Sequence, residues 1–353
     1  MHRILAINPG STSTKIGYFE GEHCRFKEVI RHDESEKTAG LRPEDEALKR
    51  REAILALLVE RAIPLAGLSA LVVRGGLLKP LSSGTYLVDE KVYRDLAEAV
   101  YGWHASNLGV IIALPLAEDL NIPVYTVDPV TVDEFETPAR YSGLKDLSRV
   151  SMSHALNMKA VARRAAVWMD KEYEDINLIV VHLGSGISVS AHRRGRMIDV
   201  NNANEEGPFS MERCGTLPAL GLVRLCFSGR FSCEEMIRLL TSCGGIYSYL
   251  GTKDFARIRQ MTSTGSDEVK EVVEALIYQV AKEIGAMAAV LKGNIDGIVL
   301  TGGMARDQQL IERITDRISF IARVIVIPGE EELEALAAGA LRVLRGEEKV
   351  LCY

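Results

Sequence analysis

The sequence has no closely spaced cysteines, no long apolar run and no surplus of positive charge, and each absence removes a class of protein. Its six cysteines, Cys24, Cys214, Cys226, Cys233, Cys243 and Cys352, include no C-x-x-C pair. The gaps of 12, 7 and 10 residues between the middle four fit no compact zinc knuckle. They read as free thiols, and no metal is placed on them. No stretch approaches the ~18 apolar residues of a membrane helix, and MHRILAINPG lacks a charged start followed by a secretory apolar core. The expectation is a cytoplasmic protein with no membrane partner. Against 48 acidic residues stand 42 basic ones, a net charge of −6, and no Lys/Arg cluster stands apart, which argues against nucleic acid as a partner.

What is present is ordinary globular composition. Hydrophobic residues make up 47% and charged residues 25% of 353, which excludes disordered, collagen-like and solenoid chains. At ~100–200 residues per domain, the length suggests about two domains. Apolar β-branched runs alternate with amphipathic stretches, the pattern of α/β architecture. Strands are predicted at 3–8, 13–19, 70–73, 123–127, 178–183, 186–191, 296–301 and 324–327. Helices are predicted at 45–62, 90–101, 154–170, 268–292 and 332–345. The longest carries Val269, Val272, Val273, Leu276, Val280, Ile284 and Met287 on one stripe and reads as a core helix.

No low-complexity linker divides the chain, so a boundary has to come from repetition. ILAINPGSTSTKIGYF runs as strand, small-residue turn, strand, and LIVVHLGSGISVSAHRRG does the same about half a chain later. In each, an apolar run leads to a polar residue, Asn8 or His182, before a Gly/Ser turn. Two homologous domains would explain this, and so would the general frequency of hairpins with such turns.

Such turns present backbone N–H groups and hydroxyls with no side chain in the way, which suits a polyphosphate. The first contains Asn8, Gly10, Ser11, Ser13 and Lys15. It is no Walker A loop, because G-x-x-x-x-G-K-S/T feeds a helix and Lys15 starts a strand pattern. The second contains His182, Gly184, Ser185, Gly186 and Ser188. A third glycine pair, Gly302-Gly303, follows the strand at 296–301. Any one of them alone is more often structural; three together favour a nucleotide between two domains.

With these motifs in view, the sequence resembles the acetate and butyrate kinase family, within the sugar kinase, heat-shock protein and actin superfamily. INPGSTSTK, VDPVTVDEF, SHALNMKAVARRAA, VVHLGSGISVSAHRRGRMIDVNNANEEGPFSMERCG, GTKDFARIRQ and LTGGMA carry the resemblance over essentially the whole chain and look like the butyrate kinase branch. The resemblance implies two duplicated actin-like (ribonuclease H-like) α/β domains with an active-site cleft between them. The first would be 1–148 plus a returning 333–353, and the second 149–332. It also implies transfer of the ATP γ-phosphoryl group to a short-chain carboxylate with Mg²⁺, giving ADP and an acyl phosphate, in a homodimer or higher homo-oligomer.

The chemistry can be set against the residues. A carboxylate is already a nucleophile and needs no general base, so the site must hold anions together and neutralise charge. His154, in SMSHALN, matches the family histidine that donates to the transferring phosphoryl group. Arg213, in SMERCG, matches an arginine that fixes acyl substrate and phosphoryl group. Arg74, in LVVRGGLL, matches the other substrate arginine across a gap. Asp128 and one of Glu331 or Glu332 match carboxylates that organise Mg²⁺, with Asn8 beside the phosphates and metal. Asp254 and Phe255 correspond to the adenine-lining segment, with Ala256 where the acetate branch has arginine, and Gly302 and Gly303 to the nucleoside side. His104 aligns with a family histidine, although Ala105-Ser106 follows it. Without the motifs, the arginines would be solvated ion-pair partners, Asp128 a turn residue and Glu331 a helix first-turn charge.

At the acyl pocket, Ser153 stands where the acetate branch has a bulky phenylalanine, and Gly76 follows the substrate arginine closely. Both suggest room for butyrate or isobutyrate over acetate. The alternatives are a kinase for branched acids or for acetate and propionate, an actin-like ATPase switch with no small acceptor, and a sugar kinase with a carboxylate base.

Overall fold

The structure is a computed structural model that describes residues 1–32, 42–263 and 267–353. Its contacts divide the chain into two units. One is Met1–Val132 with Ala155–Asn157 and Glu331–Tyr353, and the other is Asp133–His154 with Met158–Glu330.

The first unit opens with β1 (Arg3–Pro9), β2 (Ser13–Glu20) and β3 (His23–Arg31), followed by α1 (Pro43–Glu60), β4 (Ala70–Val73), β5 (Thr85–Leu87), α2 (Glu90–Ala97), α3 (Leu108–Leu120) and β6 (Val124–Val127). The sheet order is β3-β2-β1-β4-β6-β5. β1 pairs antiparallel with β2 and parallel with β4. Its run is apolar throughout because both faces are covered. Leu5 and Ile7 face the core that α1 and α3 complete, while the alternate residues Ile4 and Ala6 point the other way and are equally buried.

The second unit contains α4 (Ala155–Trp168, from Met158 on), β7 (Asn177–Leu183), β8 (Ile187–Arg193), β9 (Arg196–Val200), α5 (Ala219–Cys226), α6 (Cys233–Thr241), α7 (Gly245–Leu250), α8 (Phe255–Ser263), α9 (Asp267–Val290), β10 (Gly297–Gly302), α10 (Gln308–Ile318) and β11 (Val324–Pro328). Its sheet order is β11-β10-β7-β8-β9. The stripe on α9 packs on Ile179, Val181, Ile187 and Val189, so these odd-numbered positions face one core. Ser188, Ser190 and His192 therefore lie on the other face of β8. The last helix, α11 (Glu332–Leu344), belongs to the first unit and packs on β1, β2, β4 and β6.

Five strands of each sheet share one order, an antiparallel meander of three strands whose first strand continues into two parallel ones, and the first sheet adds β5 antiparallel at its edge. The likeness extends to a defect. Lys15 of β2 faces Asn8, and three residues later the ladder of β2 with β3 slips between Tyr18 and Phe19; Ser188 of β8 faces His182, and three residues later the ladder of β8 with β9 slips between Ala191 and His192. Hairpins of common type do not share a bulge at one offset by the demands of turn chemistry. Among the described residues no helix is long and apolar enough to cross a membrane.

Candidate active site

In the first unit the expected residues gather at the carboxyl ends of the parallel strands, where open α/β sheets bind ligands. Asn8, at the end of β1, is buried and donates from Nδ2 to Glu332 Oε2 (2.6 Å). The other carboxylate oxygen of Glu332 lies 2.9 Å from Arg74 Nη1, just past β4. Of the two acids left open by the sequence, Glu332 is the one joined to Asn8 and Arg74; Glu331 is the N-cap position just before α11. Asp128, just past β6, has a left-handed backbone, φ 40°, which a short polar side chain tolerates. Its Oδ1 accepts from Ser83 Oγ (2.6 Å) and from the Gly84 N–H (2.8 Å).

The turn between β1 and β2 has a support that sequence reasoning missed. Arg50, buried in α1, donates to the carbonyl of Gly10 (2.8 Å), the carbonyl of Ser11 (3.3 Å) and Thr14 Oγ1 (3.2 Å). Gly10 N–H meanwhile closes the turn on the Ser13 carbonyl. Lys15 sits opposite Asn8 in the ladder. The only sign of Arg50 was a cation on the buried stripe of α1, beside Ala47 and Ile54.

Gly76 is placed against Asn107. A Cβ there would lie 2.0 Å from Asn107 Oδ1, which accepts from the Leu77 N–H (3.0 Å). The glycine makes room for the asparagine. His104 is exposed and bonds locally, its Nδ1 2.6 Å from Ser106 Oγ.

In the second unit the chemistry concentrates on the β7–β8 hairpin. His154, which precedes α4, stacks its ring on His182 with centroids 3.8 Å apart and planes 4° apart. Its Nδ1 lies 2.9 Å from Ser188 Oγ. His182 is buried, with Nε2 3.2 Å from Glu330 Oε1. Gly184 passes close over that pair, since a Cβ would come within 2.9 Å of His182 Nε2. Ser153, next to His154, is buried with Oγ 3.9 Å from Met197 Sδ.

Arg213 lies flat against the turn, where a Cβ on Gly186 would meet its guanidinium at 2.4 Å. Ser210 Oγ donates to the Ser185 carbonyl and accepts from the Arg213 N–H, binding that loop to the turn. The Arg213 Nε is buried with no hydrogen-bond partner among the described residues. Burial pushes the guanidinium pKa down, and Glu212 only partly offsets this. A half-buried cation of this kind is disfavoured until an anion arrives.

The remaining nucleotide candidates divide. Gly302 has φ 93° and sits on Leu183, whose carbonyl oxygen would be 2.3 Å from a Cβ, whereas Gly303 has open space around it. Asp254 caps α8 by accepting from the Ala256 N–H (2.9 Å), and Phe255 packs on the second unit's core.

The fold recurs in solved structures. An acetate kinase from Porphyromonas gingivalis superimposes with a TM-score of 0.81 at 19% identity, covering 98% of this chain and 100% of its own. An acetate kinase from Entamoeba histolytica gives 0.75 at 18%, covering 96% and 98%. A propionate kinase from Francisella tularensis gives 0.74 at 18%, also covering 96% and 98%. At such identities the likeness is one of fold, the two-domain, actin-like α/β fold. The family model for the acetokinase family matches residues 140–325, more than half of the chain and the stretch that carries His154, His182 and Arg213. The chain belongs to the acetokinase family.

Proposed function

We propose that the protein transfers the γ-phosphoryl group of ATP reversibly to a short-chain carboxylate, with butyrate as the preferred acceptor. The observation that carries this reading is Arg213, a half-buried guanidinium laid on the Gly/Ser turn of the hairpin that also carries His182 of the His154–His182 stack, with no hydrogen-bond partner for its Nε among the described residues. A carboxylate oxygen attacks the γ-phosphorus, the bond from that phosphorus to the β–γ bridging oxygen breaks, and ADP leaves. No proton has to be removed from the nucleophile, so the residues act by position and charge. His154 donates to the equatorial oxygens of the phosphoryl group, Arg213 and Arg74 hold anionic oxygens, and Asn8 orients the polyphosphate.

Among the described residues no group of three metal-ligating side chains stands together. That suits Mg²⁺, which keeps most of its waters and takes one or two carboxylates plus substrate phosphates. Glu332 and Asp128 would hold it through water. Bound there, the ion would neutralise charge on the β- and γ-phosphates.

Ser153 supports the longer acyl chain, while Gly76 carries less of that argument because Asn107 fills its space. Each methylene is worth only ~1–3 kcal/mol, so acceptor choice is loose. Acyl phosphate trapped with hydroxylamine over a panel of C2–C5 acids tests both levels. The expected result is the highest kcat/KM for butyrate. Acetate above butyrate would overturn the chain-length assignment. If no carboxylate raised ADP release, the kinase reading would fail in favour of an ATPase switch.

A further inference from the structure

The His154 ring is held by two residues that face each other across one ladder. His182 and Ser188 are direct partners in the β7–β8 register; His182 supplies the stacking face and Ser188 the hydroxyl on Nδ1. Ser188 is fully buried. Its two neighbours are gripped by one side chain, Asn201, just past β9. Asn201 Oδ1 accepts from the Val189 N–H (2.6 Å), and Nδ2 donates to the Ile187 carbonyl (3.0 Å) and the Glu206 carbonyl (3.1 Å). The backbone on both sides of Ser188 is therefore pinned independently of the ladder.

His154 needs such a seat. It stands before the first turn of α4 with φ −78° and ψ 48°, and its side chain makes no cap bond to the helix. The helix therefore fixes where the imidazole starts and leaves its rotation about χ2 to the surroundings. A stack alone fixes the plane of a ring and not which edge points where. A hydroxyl on one nitrogen supplies the missing constraint, because it can donate to a neutral ring nitrogen and accept from a protonated one.

The geometry points to Ser188 as the positioning residue for His154, donating to Nδ1 so that the neutral ring carries its proton on Nε2. Nε2 is then the donor edge toward an anionic oxygen. The inference rests on the carboxylate kinase reading for its consequence in turnover, but not for the tautomer.

The experiment compares the full-length protein with Ser188→Ala and with Ser188→Thr, which keeps the hydroxyl. Nitrogen-15 spectra of the imidazoles, with His154 assigned by its loss in His154→Gln, report the tautomer. The wild type should show the Nε2–H form, and Ser188→Ala a mixture. In turnover with MgATP and butyrate, Ser188→Ala should lose about ten- to a hundredfold in kcat, with both KM values within about twofold, and Ser188→Thr should regain most of it. A Ser188→Ala protein with unchanged tautomer and kcat would overturn the inference, as would KM rising in place of the kcat loss. If the wild type phosphorylated no carboxylate, the functional reading would fall, and the tautomer comparison would still decide the role of Ser188.

Discussion

At the residue scale, three consecutive acids show what a sequence can and cannot place. Glu330 reaches His182, Glu331 stands at the N-cap of α11, and Glu332 meets Asn8 and Arg74. The resemblance pointed to this segment as a candidate metal carboxylate and left two residues open, because a helix start turns each successive side chain by about 100° and adjacent residues face different ways. Gly76 teaches the converse, since its small size answers to Asn107. His192 was not singled out at all. It is fully buried, bonded to Tyr173 and Ser190, and its pKa is held well below the usual 6.5, first by burial and then by Lys159 and Arg163. The unfolded chain takes up this proton below pH 6.5 while the folded one does not, so stability should fall as the pH drops below that value. The slope approaches about 1.4 kcal/mol per pH unit. Urea midpoints at pH 7 and pH 5 measure it, and a His192→Gln variant should lose part of the dependence. An equal acid sensitivity in both proteins would contradict this.

At the scale of elements, each strand and each helix that periodicity predicts is present to within a few residues, but the amphipathic α10 and the strands β3 and β9 are absent from that prediction. It passed over α3, Leu108–Leu120, which is apolar on nearly all sides and contains Pro115. A helix buried all round has no stripe to find, and an internal proline argues against helix at the sequence level. The short helices α5 to α8 escaped for the opposite reason, since six to nine residues with mostly exposed faces give a weak periodic signal. β5 is only three residues long. The β1–β2 turn depends on one side chain of α1, since Arg50 ties two of its carbonyls to that helix. Arg50→Met keeps the apolar stem and removes the bonds. It should raise the KM for ATP about tenfold with a smaller change in kcat. An unchanged KM together with a lower melting temperature would reduce Arg50 to a structural role.

At the scale of the whole molecule, the repeated hairpins that the sequence displayed are the visible part of two matched sheets, and the shared bulge offset weighs for duplication over coincidence. Composition does not mark the seam: the chain enters the second unit at Asp133, passes back through the first at Ala155–Asn157 and returns to it at Glu331. Each unit has its own apolar core, one built on Leu5, Ile7 and Leu71 and the other on Ile179, Val181 and Leu276. Scanning calorimetry should therefore give a calorimetric enthalpy above the van't Hoff value. A ratio of one would show that the cores melt as a single cooperative unit. Arg213 carries a consequence of another kind. A guanidinium sunk on the Gly186 turn, its Nε unbonded among the described residues and its burial only partly offset by Glu212, is stabilised by any anion that seats there, which returns its binding energy as resistance to unfolding. The turnover of such a protein in a cell follows the supply of its own ligands, so that abundance itself becomes a record of how often the site is filled.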